Sequence, residues 1–275
     1  MSENFRELLR EKGFTFEKKF GQNFLTDGNL LSAIAAESGA GEFPCVEVGC
    51  GAGTLTRKLA EISPRVVGYE IDTRLAEILS ETLGDFPNAE VRYGDFMDAD
   101  LASLEEELGE YVVCANLPYY VTTPVLMRFL EEGTRVRALT VMVQEEVAER
   151  LVSRPGSPEY GAVTVAVNLA GSARILRRVN RKMFLPPPNV DSAVVRIDVN
   201  PDKRKIFADE TVRKLARCAF AMRRKTLANN ISSAFGIPKE RAGQAIAACG
   251  FSESVRGERL SAEDFVRLAR ALEEK

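Results

Sequence analysis

Pro44-Cys45-Val46-Glu47-Val48-Gly49-Cys50-Gly51-Ala52-Gly53-Thr54 is the stretch on which the reading of this 275-residue chain turns. Cys45 to Val48 is a short, mostly apolar run with two valines and reads as a buried strand. Gly49 to Gly53 reads as a turn, and Thr54 opens a helix that runs to about Glu61. A second strand, Arg65-Val66-Val67-Gly68-Tyr69-Glu70, follows and ends in a carboxylate, with Asp72 two residues on. Strand, glycine turn, helix, strand and terminal acid is the order of a dinucleotide-binding unit, and the spacing from Gly53 to Glu70 is near that of one.

The pattern repeats outward. Glu90 to Tyr93 reads as a third strand ending at Gly94-Asp95-Phe96. Tyr111-Val112-Val113-Cys114-Ala115-Asn116 reads as a fourth, and Ala138 to Val143 as a fifth. Helices are expected over about Gly28 to Ser38, where Leu30, Leu31, Ile34 and Ala35 have helical spacing, and from Thr123-Pro124 through Leu130. Such alternation implies a doubly wound, mostly parallel sheet. The glycines let a ligand approach the backbone, and Glu70 suits ribose hydroxyls, so an adenosine-type ligand is expected across the C-terminal strand ends. NAD and S-adenosylmethionine both satisfy that; Glu47, an acid beside the turn, leans toward the cation-bearing second.

The fourth strand stops at Asn116-Leu117-Pro118-Tyr119, because Pro118 cannot donate to a ladder and biases Leu117 away from helix. An amide side chain, a free carbonyl and an aromatic face then meet at one strand end. The Asn116 amide oxygen and the Pro118 carbonyl are placed to accept the hydrogens of an exocyclic NH2 while Tyr119 stacks on its ring. The plainer reading is a capping Asn and a packing Tyr.

Composition restricts the chemistry. With no histidine in the chain, His general bases, Ser-His or Cys-His nucleophiles and the commonest zinc sites are excluded. Reactivity must come from positioning, carboxylates, hydroxyls or a cofactor. Five cysteines without CxxC spacing imply reduced, buried thiols, and Cys45 and Cys50, in a strand and a turn, make a poor metal pair, so no metal is expected. No apolar run is long enough to span a bilayer and no leader is visible, so a cytoplasmic location without membrane contact is expected. Charge is uneven: residues 1–173 hold 15 Lys+Arg against 28 Asp+Glu (−13), residues 174–235 hold 15 against 5 (+10), and residues 236–275 hold 7 against 7. A basic middle beside an acidic body suggests a polyanion partner.

The remaining segments are read as follows. Residues 1–28 are polar and are read as a basic segment from Arg6, Arg10, Lys12, Lys18 and Lys19, although Glu3, Glu7, Glu11, Glu17 and Asp27 match them in number; Phe20-Gly21-Gln22-Asn23-Phe24-Leu25 follows within it. Arg150 to Tyr160 reads as a mobile loop. Ala162 to Leu169 and Ser192 to Val199 read as closing strands, joined by the rigid, proline-rich Phe184-Leu185-Pro186-Pro187-Pro188-Asn189-Val190-Asp191-Ser192. Pro201 to Lys205 reads as a linker into an all-helical end with helices near Val212 to Phe220, Arg223 to Leu227, Lys239 to Ala248 and Ala262 to Leu272. Arg223, Arg224 and Lys225 read as a phosphate-contacting cluster. This divides the chain into residues 1–200 and a small helical domain, 201–275.

From about Lys18 to its C-terminus the chain resembles the small-subunit (16S-type) ribosomal RNA adenine N6,N6-dimethyltransferases. The resemblance rests on Phe20–Leu25, Glu47–Thr56, Tyr69–Asp72, Gly94–Phe96, Asn116–Tyr119, Gln144–Leu151 and Phe184–Ser192 in that order. It implies a Rossmann-like S-adenosylmethionine-dependent methyltransferase domain with a seven-stranded sheet and a helical C-terminal domain. It implies a cofactor site made by Asn23, Leu25, Gly49, Gly51, Gly53, Glu70, Ile71, Asp95, Phe96 and Asn116. Catalytic roles would fall to Asn116, Pro118, Tyr119 and Phe184, the two rings clamping the flipped base, and RNA binding to Arg223, Arg224 and Lys225. The expected reaction is dimethylation of N6 on two adjacent adenosines near the 3′ end of small-subunit rRNA, by a monomer acting on an immature subunit. Glu145, Pro158 and Ala162 stand where the family often has basic residues, which shifts the expected RNA grip to 174–235. Rival readings are a resistance-type large-subunit rRNA adenine methyltransferase, disfavoured by the Pro-Pro-Pro-Asn-Val-Asp-Ser run and the helical tail, and a non-catalytic ribosome assembly factor.

Overall fold

The computed structural model describes residues 7, 9–17 and 21–273. Arg6, Lys18, Lys19 and Phe20, read above as part of the basic segment and its aromatic end, lie outside the described residues. Contacts divide the chain into two units, Met1–Ala148 with Arg174–Asp198, and Glu149–Ala173 with Val199–Lys275.

In chain order the elements are β1 (Phe24–Leu25), α1 (Gly28–Glu37), β2 (Cys45–Val48), α2 (Thr54–Ala60), β3 (Val66–Glu70), α3 (Ala76–Leu83), β4 (Ala89–Tyr93), α4 (Leu101–Leu108), β5 (Tyr111–Asn116), α5 (Thr122–Glu131) and β6 (Val136–Gln144). There follow α6 (Glu145–Leu151), α7 (Ala162–Ala170), β7 (Gly171–Val179), β8 (Phe184–Leu185) and β9 (Ser192–Val199). The chain ends in α8 (Pro201–Phe207), α9 (Glu210–Ala219), α10 (Leu227–Phe235), α11 (Lys239–Ala248) and α12 (Ala262–Glu273).

The sheet has seven strands in the order β4-β3-β2-β5-β6-β9-β7. β4 through β6 run parallel, and β9 joins β6 antiparallel. The inner strands β2, β3 and β5 are buried almost throughout, as expected of parallel strands covered on both faces. β4, at one edge, is only partly buried. Strand order reverses between β2 and β5, so loops leaving their C-terminal ends diverge and open a crevice. Side-chain caps fix several helix starts: Asp27 accepts from Leu30 N at 2.9 Å and Asp100 from Ser103 N at 3.1 Å.

The second unit differs from the sequence reading. Residues 162–170 form a helix, not a strand. Only Asn168 interrupts its apolar and Thr surface, and α8, α9 and α12 pack around it, so a helix buried on all sides carries the β-branched valines. Pro201 to Lys205 is no linker: Asn200 accepts from Asp202 N and Lys203 N, both at 3.0 Å, with Pro201 in the first turn, and α8 begins. The segment 154–160 is stitched down rather than loose. Gly156 N donates to Glu258 O at 2.7 Å, and the Tyr160 hydroxyl donates to Leu260 O at 2.9 Å. The boundary of the helical unit therefore takes in residues 149–173 and starts again at Val199, where the sequence reading had placed one break after residue 200.

Candidate active site

The crevice at the β2/β5 reversal is a pocket built wholly within the first unit. Its walls come from the segment Gly21–Leu25, the β2 end and glycine turn, the β3 end at Glu70 and Ile71, and the β5 end from Ala115 to Tyr120.

On the β2 side the backbone must bend tightly. Gly49 and Gly51 have φ of +78° and +55°, a region that L side chains rarely enter. A Cβ on Gly51 would lie 2.8 Å from the Phe24 ring, and one on Gly49 would point toward Pro118 across the crevice at 3.7 Å. Bare backbone thus keeps the two strand ends apart. Gly51 N donates to Glu70 Oε2 at 2.7 Å and Asp72 N to its Oε1 at 2.8 Å, which aims the carboxylate across the turn. Burial pushes the Glu70 carboxyl above its usual range, and those two donors oppose the shift.

Glu47 is 1 % exposed on the same wall, and its Oε2 has no hydrogen-bond partner. Burial raises its carboxyl to about 8, with the Thr56 hydroxyl pulling the other way and the Glu70 charge adding to the rise.

The N-terminal segment forms a roof tied to both sides. Gln22 Nε2 donates to Asp72 Oδ2 at 2.7 Å, and Thr54 Oγ1 donates to Leu25 O at 3.3 Å. Asn116 Nδ2 donates to Asn23 O at 3.0 Å, which leaves the amide oxygen of Asn116 as its remaining polar atom. Leu25 pairs in register with Phe184 in the small β1–β8 ladder.

At the β5 end the carbonyl that the sequence reading took as free is occupied. Pro118 O accepts from Val121 N at 3.1 Å and from Thr122 Oγ1 at 3.3 Å, which fills both lone pairs. No donor among the described residues reaches the carbonyl of Leu117, one residue earlier on the same wall. Tyr119 is half-buried with its hydroxyl 3.0 Å from Ser192 Oγ, and burial raises its phenol. Tyr120, 60 % exposed, stands at the rim.

Of the residues singled out from sequence, Asn23, Leu25, Gly49, Gly51, Glu70, Ile71, Asn116, Pro118 and Tyr119 line this one pocket. Four do not. Gly53 caps α2 at φ +81° and faces Thr82 and Leu79. Asp95 caps the following turn through Met97 N at 2.9 Å, exposed, near enough to Tyr120 to help burial raise that phenol. Phe96 is 3 % exposed, stacked on Phe129 at 4.8 Å. Phe184, expected as the second clamp, is 4 % exposed in the core cluster with Leu25 and Met142, so it backs the wall and presents no free face to a base. The sequence marks Gln22 only as one amide of the Phe20–Leu25 segment, able to lie over a ligand or to staple the N-terminus to the core, and gives Thr54 and Tyr120 no site role; the second tyrosine of the pair is the visible sign of the last.

Arg223, Arg224 and Lys225 are exposed, on a turn between α9 and α10 rather than on a helix. Arg223 Nη2 donates to Pro158 O at 2.8 Å and Tyr160 O at 3.0 Å, both within the helical unit.

Residues 13–274 match the family described as ribosomal RNA adenine dimethylase. Ribosomal RNA small subunit methyltransferase A of Geobacillus thermodenitrificans (strain NG80-2) is 42 % identical over 276 residues, covering 97 % of this chain and 94 % of that protein. The protein of the same name from Alkaliphilus oremlandii (strain OhILAs) is 41 % identical over 276 residues, covering 98 % and 96 %. A dimethyladenosine transferase from Plasmodium falciparum shares the fold with a TM-score of 0.73 at 23 % identity, covering 89 % of this chain and 95 % of that one. The 23S rRNA methyltransferase ErmE aligns with a TM-score of 0.67 at 27 % identity, covering 92 % and 100 %. The chain belongs to the ribosomal RNA adenine dimethylase family.

Proposed function

We propose that this enzyme dimethylates N6 of two adjacent adenosines near the 3′ end of small-subunit rRNA, using S-adenosylmethionine, and that it acts as a cytoplasmic monomer on an immature subunit. The observation that carries the reading is the pocket itself. Asn116, the Leu117 carbonyl and Tyr119 leave β5 opposite Gly49, Glu47 and Glu70, so base-binding and cofactor-binding groups face one space. Full-length identity of 42 % to a small-subunit methyltransferase, against 27 % to the 23S enzyme, favours the small subunit over the large.

The residues present fit the cofactor. An unpaired buried carboxylate oxygen on Glu47 suits a cationic group, and each Glu70 oxygen retains a lone pair beyond its backbone donor for a ribose hydroxyl. When bound, S-adenosylmethionine supplies an electrophilic methyl on a sulfonium, which needs neither metal nor histidine.

The chain's own part is alignment. N6 of adenine is a weak nucleophile because its lone pair is delocalised into the ring. The Asn116 amide oxygen and the Leu117 carbonyl would accept the N6 hydrogens and favour the pyramidal nitrogen of the transition state. This moves to Leu117 the role that sequence reading gave to Pro118. Tyr119 would stack on the flipped adenine, worth about 1–3 kcal/mol, and holding both reactants in line can lower the barrier by up to about 7–11 kcal/mol.

The test uses methyl-labelled cofactor with unmodified small subunits and, in parallel, large subunits, followed by mass spectrometry of the digested nucleosides. Dimethyladenosine from small subunits alone is the expected result. Label in large-subunit rRNA, or tight subunit binding without label, overturns the reading.

A further inference from the structure

Tyr119 lies in the turn after β5, outside any strand or helix, and among the described residues no aromatic ring packs against it. Its side chain has a single polar contact, the 3.0 Å hydrogen bond between its hydroxyl and Ser192 Oγ. Ser192, by contrast, is fixed. It is 1 % exposed and opens β9 in register with Gln144. The preceding Asp191 is pinned twice: its carbonyl accepts from Glu145 N at 3.1 Å and its Oδ1 from Arg181 N at 3.0 Å. A rigid anchor therefore meets the ring at its far end, and it is the one side-chain hydrogen bond on that ring among the described residues. One contact there restrains both side-chain torsions.

We propose that Ser192 is a positioning residue for methyl transfer: its hydroxyl holds the Tyr119 ring in the plane on which the target adenine stacks. The proposal rests on the reading of Tyr119 as the stacking face. A pre-set ring spares the base the ordering of a free side chain when it enters. The anchor belongs to the strap Phe184–Ser192, whose other end pairs with Leu25 on the cofactor side, so one rigid segment indexes both halves of the pocket. A phenol is protonated near neutral pH in any case, and burial raises this one further, so either hydroxyl of the pair can donate.

A double-mutant cycle of Ser192→Ala and Tyr119→Phe tests this, read by single-turnover methylation of small subunits, cofactor affinity by calorimetry and thermal midpoint. Each single substitution is expected to slow transfer roughly three- to tenfold, the range of one neutral hydrogen bond, with cofactor affinity unchanged. The double variant should be no slower than either single, and Ser192→Thr, which keeps the hydroxyl, should restore the rate. Additive losses, unchanged single variants, or loss tracking the thermal midpoint without rescue by Thr would overturn the proposal. Tyr119→Ala separates the two levels. If it leaves transfer intact, the stacking role itself fails; if it is slow while Tyr119→Phe and Ser192→Ala are normal, only the positioning role of Ser192 fails.

Discussion

A carboxyl group that is 1 % exposed, with one oxygen unpaired and Glu70 nearby, stays protonated in the free protein well above the usual carboxylate range. For Glu47 that range extends from 4.5 in the unfolded chain to about 8 in the fold. Between those values the folded state holds a proton that the unfolded state has released, so stability falls as pH rises, by up to about 1.4 kcal/mol per pH unit. The contribution is fully present below 4.5 and lost by about 8. Ionisable neighbours do not relieve it: Glu70 from β3, Cys50 from the turn and Cys45 and Cys114 from β2 and β5 are all acids. The nearby basic residues of α2, Arg57 and Lys58, reach Glu61 instead. Glu47→Gln should therefore flatten the decline of the cofactor-free melting midpoint from pH 5 to pH 8; an unchanged slope would show that Glu47 is ionised throughout. The acid was legible as a residue beside a glycine turn. Its orphan oxygen was not, because that depends on what β3 and β5 bring alongside.

At the scale of elements, the five parallel strands were legible because helix segments separate them and four are mostly apolar runs; β4 alternates instead, with Glu90 and Arg92 between Ala89, Val91 and Tyr93, and closes at Gly94. Two segments misled and a third carried no reading. Valine density at 162–170 reads as strand, yet helices surround it on every side. Gly171–Val179 carries Arg174, Arg177 and Arg178, whose ion pairs with Asp198, Glu37 and Glu145 are invisible locally, so the edge strand β7 has no alternating signature. Asn200-Pro201 is a helix start that its charged surroundings disguise as linker. The glycine turn itself is directly testable. Gly51→Ala places a side chain at φ +55° and 2.8 Å from Phe24, costing about 1–2 kcal/mol from backbone strain alone and lowering the melting midpoint by roughly 2–8 °C. Gly41→Ala, where a Cβ meets nothing within 4 Å, should stay within about 0.5 kcal/mol of the parent. Equal midpoints for the two variants would contradict the constraint assigned to the turn.

Across the whole molecule, charge separates structural from available cations. Arginines of the first unit are largely paired, as Arg65 and Arg92 are with Glu90 and Glu107. Three adjacent cations at 223–225 look equivalent in sequence, but Arg223 is spent on backbone carbonyls at Pro158 and Tyr160. Arg223→Ala should destabilise the helical unit by about 1–3 kcal/mol with little change in the salt dependence of rRNA binding. Arg224→Glu with Lys225→Glu should leave stability unchanged, weaken subunit binding and reduce the log–log salt slope by about 2. A salt slope that falls equally in both variants would refute the division. The central claim is that one crevice at the sheet's reversal point holds donor and target on opposite walls. Its most direct measurement pairs calorimetric cofactor affinity with single-turnover methylation of small subunits for Glu70→Ala and Tyr119→Ala. The account expects Glu70→Ala to lose affinity first, and Tyr119→Ala to lose rate while affinity stays near that of the parent. Cofactor affinity collapsing equally in both variants would contradict it.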